Sequence, residues 1–547
     1  MMEHWLSVIT TTVYFAILMV VAFYGFHRYV LVYLYIKHRD NTHKPPRRFA
    51  EDELPAITVQ LPMFNEDMVA ARVIDATCGI DYPRDRFEIQ VLDDSTDHSA
   101  EIARRSCEEW AARGINIKYV HRTNREGYKA GALEAGLKTA TGEFIAIFDA
   151  DFVPPTDILR NVVNHFSDEK VGMVQVRWDH LNRDASLLTK SQAIFLDGHF
   201  VIEHTARNRS GRFMHFNGTG GVWRRTTIAE AGGWQHDTLT EDLDLSYRAQ
   251  MKGWQFVYLP QYVAPAELPP EMVAFKAQAH RWTKGSMQTG IKLLPRILRS
   301  KLPWSVKSEA FFHLTCTVVY PLMVLMTVLM YPTFILNSPV KINPRPMVPT
   351  SVLPIQETPD YWAGPLLNNW LFGLSLFVLA TCSAGTFFVY AQRELFGRMA
   401  GWKAILHQPF IMALGVGVCI NNTKAVIEAI ISMILRKPAE FVRTPKYGVT
   451  GKHRGVISTG DGTGVDKPKF NFSKLALPIV EVAFGLYMTT FVVISIKYQS
   501  ALLSLPFLMI FAGGYLYVGC STIWVLWRRH QEAVAASTQA IEEPAAA

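Results

Sequence analysis

A chain of 547 residues that is 49% hydrophobic and carries a formal charge of +7 is too long for one domain and too apolar for an ordinary soluble enzyme. Its six cysteines are scattered without a C-x-x-C pair, which excludes a disulfide framework or a zinc cluster as the organising principle. The basic excess flanks apolar runs and forms no basic and aromatic stripe, so no nucleic-acid partner is expected.

The first element is an uncharged run, Val8 to Tyr24, with no small-residue cleavage site after it. Arg28, Lys37, Arg39, Lys44, Arg47 and Arg48 follow, which predicts a retained membrane anchor with a cytoplasmic carboxyl end. Four later runs, Phe311–Leu336, Leu366–Tyr390, Leu475–Ile496 and Leu502–Trp527, are each long enough for a hydrocarbon core of about 30 Å. The chain is therefore expected to be a multi-pass integral membrane protein of a plasma, inner or Golgi-type membrane. Its predicted parts are an anchor and basic linker (1–48), a cytoplasmic domain (49–302), a transmembrane region (303–530) and a disordered tail (531–547).

Within the cytoplasmic part, Ile57–Leu61, Phe87–Leu92, Ile115–Val120, Ile145–Phe148 and Val171–Trp178 read as strands. Helical patterns such as Ser99–Ala112, with Asp97 as a cap, and Ser186–Arg207 alternate with them. Alternation of this kind predicts an α/β domain with a mostly parallel sheet and helices on both faces. Ligands of such sheets lie at the carboxyl ends of the strands. Three polar ends fall there: Pro62, Phe64, Asn65 and Glu66 after the first strand, Asp93 and Asp94 after the second, and Asp149 and Asp151 after the fourth.

Two carboxylates one residue apart at a strand end suit a hard divalent cation, Mg2+ or Mn2+, that keeps positions open for substrate phosphates. The natural ligand is then a nucleotide whose diphosphate leaves. Lys129, at a helix start, supplies positive charge to phosphates or stands as an exposed helix lysine. The run Phe216 to Arg224 puts small residues, Asn217, Gly218 and Thr219 among them, in a turn that lets a ligand approach the backbone or forms a plain hairpin. Thr240 caps the next helix, with Glu241 and Asp242 in its first turn; there Asp242 is the candidate general base for an attacking hydroxyl. Gln278, Arg281 and Trp282 lie in an amphipathic helix over 270–298 suited to the membrane interface, where Trp282 is a sugar-stacking platform or an aromatic belt residue.

Together, Asp93-Asp94, Asp149-Ala150-Asp151, Thr240-Glu241-Asp242 and Gln278-x-x-Arg281-Trp282 resemble, in order and spacing, the processive family 2 glycosyltransferases that make cellulose, chitin, mannan and hyaluronan. Phe216-Asn217-Gly218-Thr219 with Gly221-Val222-Trp223-Arg224, and Lys129-Ala130-Gly131-Ala132-Leu133, are similar to the cellulose synthase-like A and C proteins. Those make β-mannan or glucomannan and a β-glucan backbone. Phe441, Thr444 and Lys446 match the gating loop of bacterial cellulose synthase (here 440–447), with Arg443 where that family has valine.

The resemblance implies a GT-A type fold and an inverting synthase that adds sugars from UDP-glucose or GDP-mannose to a growing β-linked polysaccharide and moves the chain across the bilayer. It assigns Gln278, Arg281 and Trp282 to the terminal sugar and diphosphate. No residue pattern names a protein partner. A transferase that glycosylates one lipid, and a transport scaffold with an inactive domain, are the competing expectations. Topology follows from parity: the segment 404–435, with Asn421, Asn422, Thr423, Lys424 and Glu428 in its middle, is expected to lie along the interface or re-enter, leaving five full spans.

Overall fold

The computed structural model describes residues 2–337, 382–436, 446–448, 472–497 and 504–542. Apolar runs bounded by turn residues form seven strands of one sheet: β1 (Ile57–Met63), β2 (Phe87–Asp93), β3 (Ile117–His121), β4 (Phe144–Ile147), β5 (Val171–His180), β6 (Gly221–Arg224) and β7 (Gln255–Ala266). Their spatial order is β3-β2-β1-β4-β6-β5-β7. β1 pairs in parallel with β2 and β4, and β2 with β3; β6 runs antiparallel to both β4 and β5, and β5 pairs in parallel with β7. The mostly parallel sheet expected from the sequence is thus present.

Two strands were not legible. β6 occupies only four residues of the glycine-rich run, too short for an alternation to register. β7 contains Pro260 and Pro265, which argue against a strand; its edge position and a register shift opposite Val176/Arg177 accommodate them.

The chain enters through α1 (Met2–His38), and α2 (Ala70–Cys78), α3 (Ser99–Ala112), α4 (Tyr128–Leu137) and α5 (Ile158–Val163) alternate with the first five strands. Period-two burial sends Phe144 and Ala146 into the apolar layer of α2, α3 and α5, and Ile145 and Ile147 into the layer of α4 on the other face. Each fully buried aliphatic side chain there is worth about 1.5–3 kcal/mol. On the α4 face, β1 and β2 carry polar residues that satisfy one another: Thr58 donates to Glu88 (2.5 Å) and Gln60 to Gln90 (3.0 Å).

The expected helix over 186–207 is three pieces: α6 (Leu187–Asp197), a π-helical segment Gly198–His204, and α7 (Thr205–Arg209). α8 (Arg225–Glu230) and α9 (Glu241–Met251) complete the domain. Asp97, expected as the cap of α3, lies one residue before the N-cap His98, and its Oδ1 accepts from Ser99 N–H at 2.9 Å. Thr240 stands at the N-cap of α9 but does not cap it with its side chain; its hydroxyl instead meets that of Thr289 at 3.1 Å, because the next helix packs directly over this turn.

That helix is α10 (Met272–Arg299), followed by α11 (Trp304–Thr315) and α12 (Val319–Asn337). α10 packs against α9 and α11 and against later helices, α15 (Cys419–Leu435) and α17 (Leu505–Glu542). Its expected apolar stripe is therefore divided: Met272 and Ile297 are buried in protein, whereas Ile291 stays exposed. Between these lie α13 (helical over 382–396), α14 (Arg398–Gly417) and α16 (Ala476–Lys497).

Among the described residues, four segments are long and apolar enough to cross a membrane: Val8–His38, Trp304–Met330, Phe472–Lys497 and Leu505–Ala535. α14 and α15 pass the same test only together and are bent by 40° at their junction, the geometry of a broken or re-entrant span. The span expected over Leu366–Tyr390 lies outside the described residues up to 381, as does the loop before it. The tail expected to be disordered from 531 is instead helical through Glu542, in keeping with its many Ala, Glu and Gln residues. α14 and α17 touch backbone to backbone, with Gly417 facing the Gly514 carbonyl, a contact that any side chain would block.

Candidate active site

Parallel register brings the ends of β1, β2 and β4 to one edge: Met63 pairs with Asp93, and Gln60 with Ile147, two residues short of Asp149. At the β1 and β2 ends the polar groups are locked together. Asn65, in the left-handed region at φ 53°, donates its N–H to Ser95 (2.8 Å) and accepts from Thr96 N–H (2.8 Å). Asp93 is fully buried and accepts from Ser95 N–H (3.0 Å) and Tyr119 OH (2.7 Å). Asp94 takes both arms of Arg122, at 2.8 and 2.6 Å, and Arg125 lies 3.2 Å from the centre of the Phe64 ring. Pro62 belongs to β1, and Glu66 begins the approach to α2, its carbonyl accepting from Val69 and Ala70. Arg122 was the residue that sequence reasoning left without a role; its signal was a basic residue directly after a strand.

At the β4 end, Asp149 N–H donates to the hydroxyl of wholly buried Thr219 (2.9 Å), and Asp149 Oδ1 meets Lys129 Nζ at 2.5 Å. The same ammonium donates to the Gly218 carbonyl at 2.8 Å. Lys129 is thus a half-buried cation bridging the Asp-x-Asp motif and the glycine-rich turn. Gly218 has φ 80°, and a Cβ there would lie 3.0 Å from Asp242 Oδ2, so the turn closes directly over that carboxylate. Burial works against the charge of Lys129, but Asp149, Glu241 and Asp242 outweigh it and raise its pKa. Burial also drives Asp242 up to about 7, with the charge of Glu241 adding to it, and raises Glu241 in turn. Arg281 acts on Glu241 from α10. Gln278 and Trp282 sit on the same helix, half-buried.

Asp151 is buried, and its Oδ2 meets Lys446 Nζ at 2.5 Å. Its Oδ1 is buried and has no hydrogen-bond partner among the described residues. Phe441 and Thr444 lie outside the described residues. Tyr447, next to Lys446, donates its N–H to Glu267 (3.3 Å) and its hydroxyl to Glu271 (3.1 Å), and Arg528 and Arg529 of α17 pair with Glu271. This tie from the last helix to the Asp151 neighbourhood was invisible in the sequence, because its members lie more than eighty residues apart.

Residues 55–285 match the family model described as Glycosyltransferase like family 2. The chain is 44% identical over 277 residues to glucomannan 4-beta-mannosyltransferase 1 of Oryza sativa subsp. japonica, covering 47% of this chain and 53% of that one. It is 43% identical over 282 residues to glucomannan 4-beta-mannosyltransferase 2 of Arabidopsis thaliana, covering 50% and 53%. The chain thus spans about half the length of the curated relatives it matches. Among solved structures it is similar, at 21% identity and a TM-score of 0.45 over 74% of this chain and 99% of the other, to a mannosyltransferase from Pyrobaculum calidifontis in complex with GDP-Man and Mn2+.

Proposed function

We propose that the chain is an inverting, processive hexosyltransferase that builds a β-linked, mannan-type polysaccharide from a nucleoside-diphosphate mannose and passes it through its own membrane helices. One observation carries this reading: a half-buried carboxylate, its pKa raised to about 7, stands under a glycine turn, beside a lysine that also holds the Asp-x-Asp motif. The names of the curated relatives favour mannose over glucose as the transferred sugar.

In this reading Asp242 accepts the proton of the acceptor hydroxyl while that oxygen attacks the anomeric carbon opposite the departing diphosphate, so the configuration inverts. Asp149 and Asp151 fit a divalent cation, Mg2+ or Mn2+, since Asp151 Oδ1 is buried without a partner among the described residues and Asp149 stays partly open. Such a cation, when bound, neutralises charge on the diphosphate. Lys129 and Lys446 offer further positive charge to the same oxygens. Pro62, Phe64, Asn65, Glu66, Asp93 and Asp94 form the nucleoside side. Asn217, Gly218, Thr219, Glu241, Gln278, Arg281 and Trp282 form the acceptor side. The domain faces the cytoplasm, with 1–48 as anchor and 303–530 as the conducting region.

The test is donor screening on the purified chain, with linkage and length analysis of the product. GDP-mannose is expected to give a ladder or an insoluble β-linked polymer, and UDP-glucose less. A single organic-soluble product sinks the polymer reading, and an absence of nucleotide release sinks the enzyme reading. Donor binding is expected to respond to a chelator in the parent protein and no longer in Asp151→Ala.

A further inference from the structure

Behind the glycine turn lies a group of histidines that the proposed chemistry does not use. His199 and His204 belong to the π-helical segment Gly198–His204. Residues five apart diverge by about 140° on an α-helix of 3.6 residues per turn, whereas i→i+5 bonding brings them toward one face. Both rings accordingly meet Asn217. Its Nδ2 donates to His199 Nε2 at 3.0 Å and to His215 Nε2 at 3.1 Å, and its Oδ1 accepts from His204 Nε2.

A carboxamide has two N–H donors and one oxygen, so once Glu203 fixes the proton of His199 on Nδ1, the amide orientation with its oxygen on His204 admits one set of neutral tautomers. His199 and His215 are bare at Nε2, and His204 carries its proton there. Glu203 Oε2, 2.9 Å from His199 Nδ1, accepts the proton that this tautomer puts on Nδ1. Burial, then the neighbouring histidines and Arg207, holds His204 and His215 well below the ordinary imidazole range, which keeps them neutral. Arg207 is itself engaged by Glu309 (2.9 Å) and Glu203 (3.3 Å).

We propose that His199, His204 and His215 form a positioning cage that fixes the orientation of the Asn217 carboxamide and, through it, the Asn217–Gly218–Thr219 turn facing Lys129 and Asp242. The cage deepens the transferase reading and rests on it for its catalytic consequence. Gln175 already ties the backbone of the turn, donating to Thr219 O (3.1 Å) and Gly220 O (2.9 Å) and accepting from Asn217 N–H (3.1 Å). The histidines add the side-chain half of the restraint. A transition metal is the rival occupant, since ligand atoms of the three rings lie within 4.8 Å of one another. Against it, the Asn217 carboxamide already engages Nε2 of all three rings at hydrogen-bond distance, two through its nitrogen and one through its oxygen, whereas imidazoles bind zinc at about 2.0–2.1 Å.

The experiment uses the full chain in detergent or nanodiscs. Nitrogen-15 histidine spectra, assigned by single His→Gln variants, are expected to give neutral rings at pH 7, with His199 and His215 protonated at Nδ1 and His204 at Nε2. In transfer assays His215→Leu is expected to lose about tenfold, the scale of a lost buried hydrogen bond, while His215→Gln, which keeps an acceptor, stays within about threefold. Equal loss in the Leu and Gln variants overturns the cage, as does an imidazolium among the three rings or a stoichiometric metal lost in His204→Ala. If the Leu variant fails to fold, the parent's spectrum still decides. A parent protein without transfer activity refutes the enzyme reading and leaves the spectrum to judge the cage.

Discussion

Asp242 is enclosed by α9, the Gly218 turn and Glu241, and that enclosure, with the charge of Glu241, raises its pKa to about 7. A base with a pKa near the working pH is efficient, because it is deprotonated often enough and still holds a proton well. Asp242→Asn is expected to cut transfer by about 10²–10⁴-fold, the usual contribution of a positioned base, and to leave donor affinity nearly intact. Rate and donor titrations on the same preparation check this; appreciable polymer synthesis by the variant removes the role. The sign of the pH effect follows from the raised pKa. The basic form dominates above about 7, so transfer is expected to fall as pH drops through that value, with a limb absent from donor binding. A flat profile between pH 6 and 8 would count against Asp242 as the titrating base.

Among the elements, α10 carries the most. It carries Gln278, Arg281 and Trp282, the residues proposed for the acceptor, and also packs against the apolar helices α15 and α17. Lys276 lies wholly within protein and pairs with buried Glu481 of α16 at 2.7 Å, and Asn421 of α15 donates to the Lys276 carbonyl at 3.1 Å. Breaking a buried ion pair on one side costs about 3–5 kcal/mol, whereas replacing both partners by apolar groups is often neutral. Lys276→Met is therefore expected to lower the thermal midpoint, and the added Glu481→Leu to restore it; no restoration would mean that the pair is not an isolated unit. Trp282→Ala is expected to shorten products, because a stacking surface for the sugar is lost, and product sizing reads this directly. Unchanged length would make Trp282 an interface residue.

At the scale of the whole molecule, the candidate site and the membrane helices share parts. Lys446 reaches Asp151, and its neighbour Tyr447 is tied through Glu271 to Arg528 and Arg529 at the end of the last apolar stretch. In the proposed topology residues 446–448 lie on the side of the transferase domain, and the bent pair α14–α15 then does not cross the membrane once. A cysteine placed at Gly448 is expected to resist an impermeant thiol reagent applied from outside. Labelling from outside would overturn the topology together with the role of Lys446.

The sequence by itself determined the long apolar first helix, the α/β character of the domain expected over 49–302 and the carboxylates at the strand ends, because apolar runs and period-two burial are local and leave their mark on consecutive residues. Thus Ser99–Ala112 was read with its exact limits, and Asp93, Asp149 and Asp242 were legible from the residues around them. The tertiary structure alone decided the rest. β7 became an edge strand despite two prolines, Thr240 gave its hydroxyl to α10 rather than to α9, and Asp93 was enclosed by Tyr119 and Ser95. The Asn217 cage draws on residues from a π-helical segment and a separate loop. The physical reason is common to all of these: a buried polar group must find its partner wherever packing provides one, and that partner is set by the meeting of distant elements rather than by its neighbours in the chain.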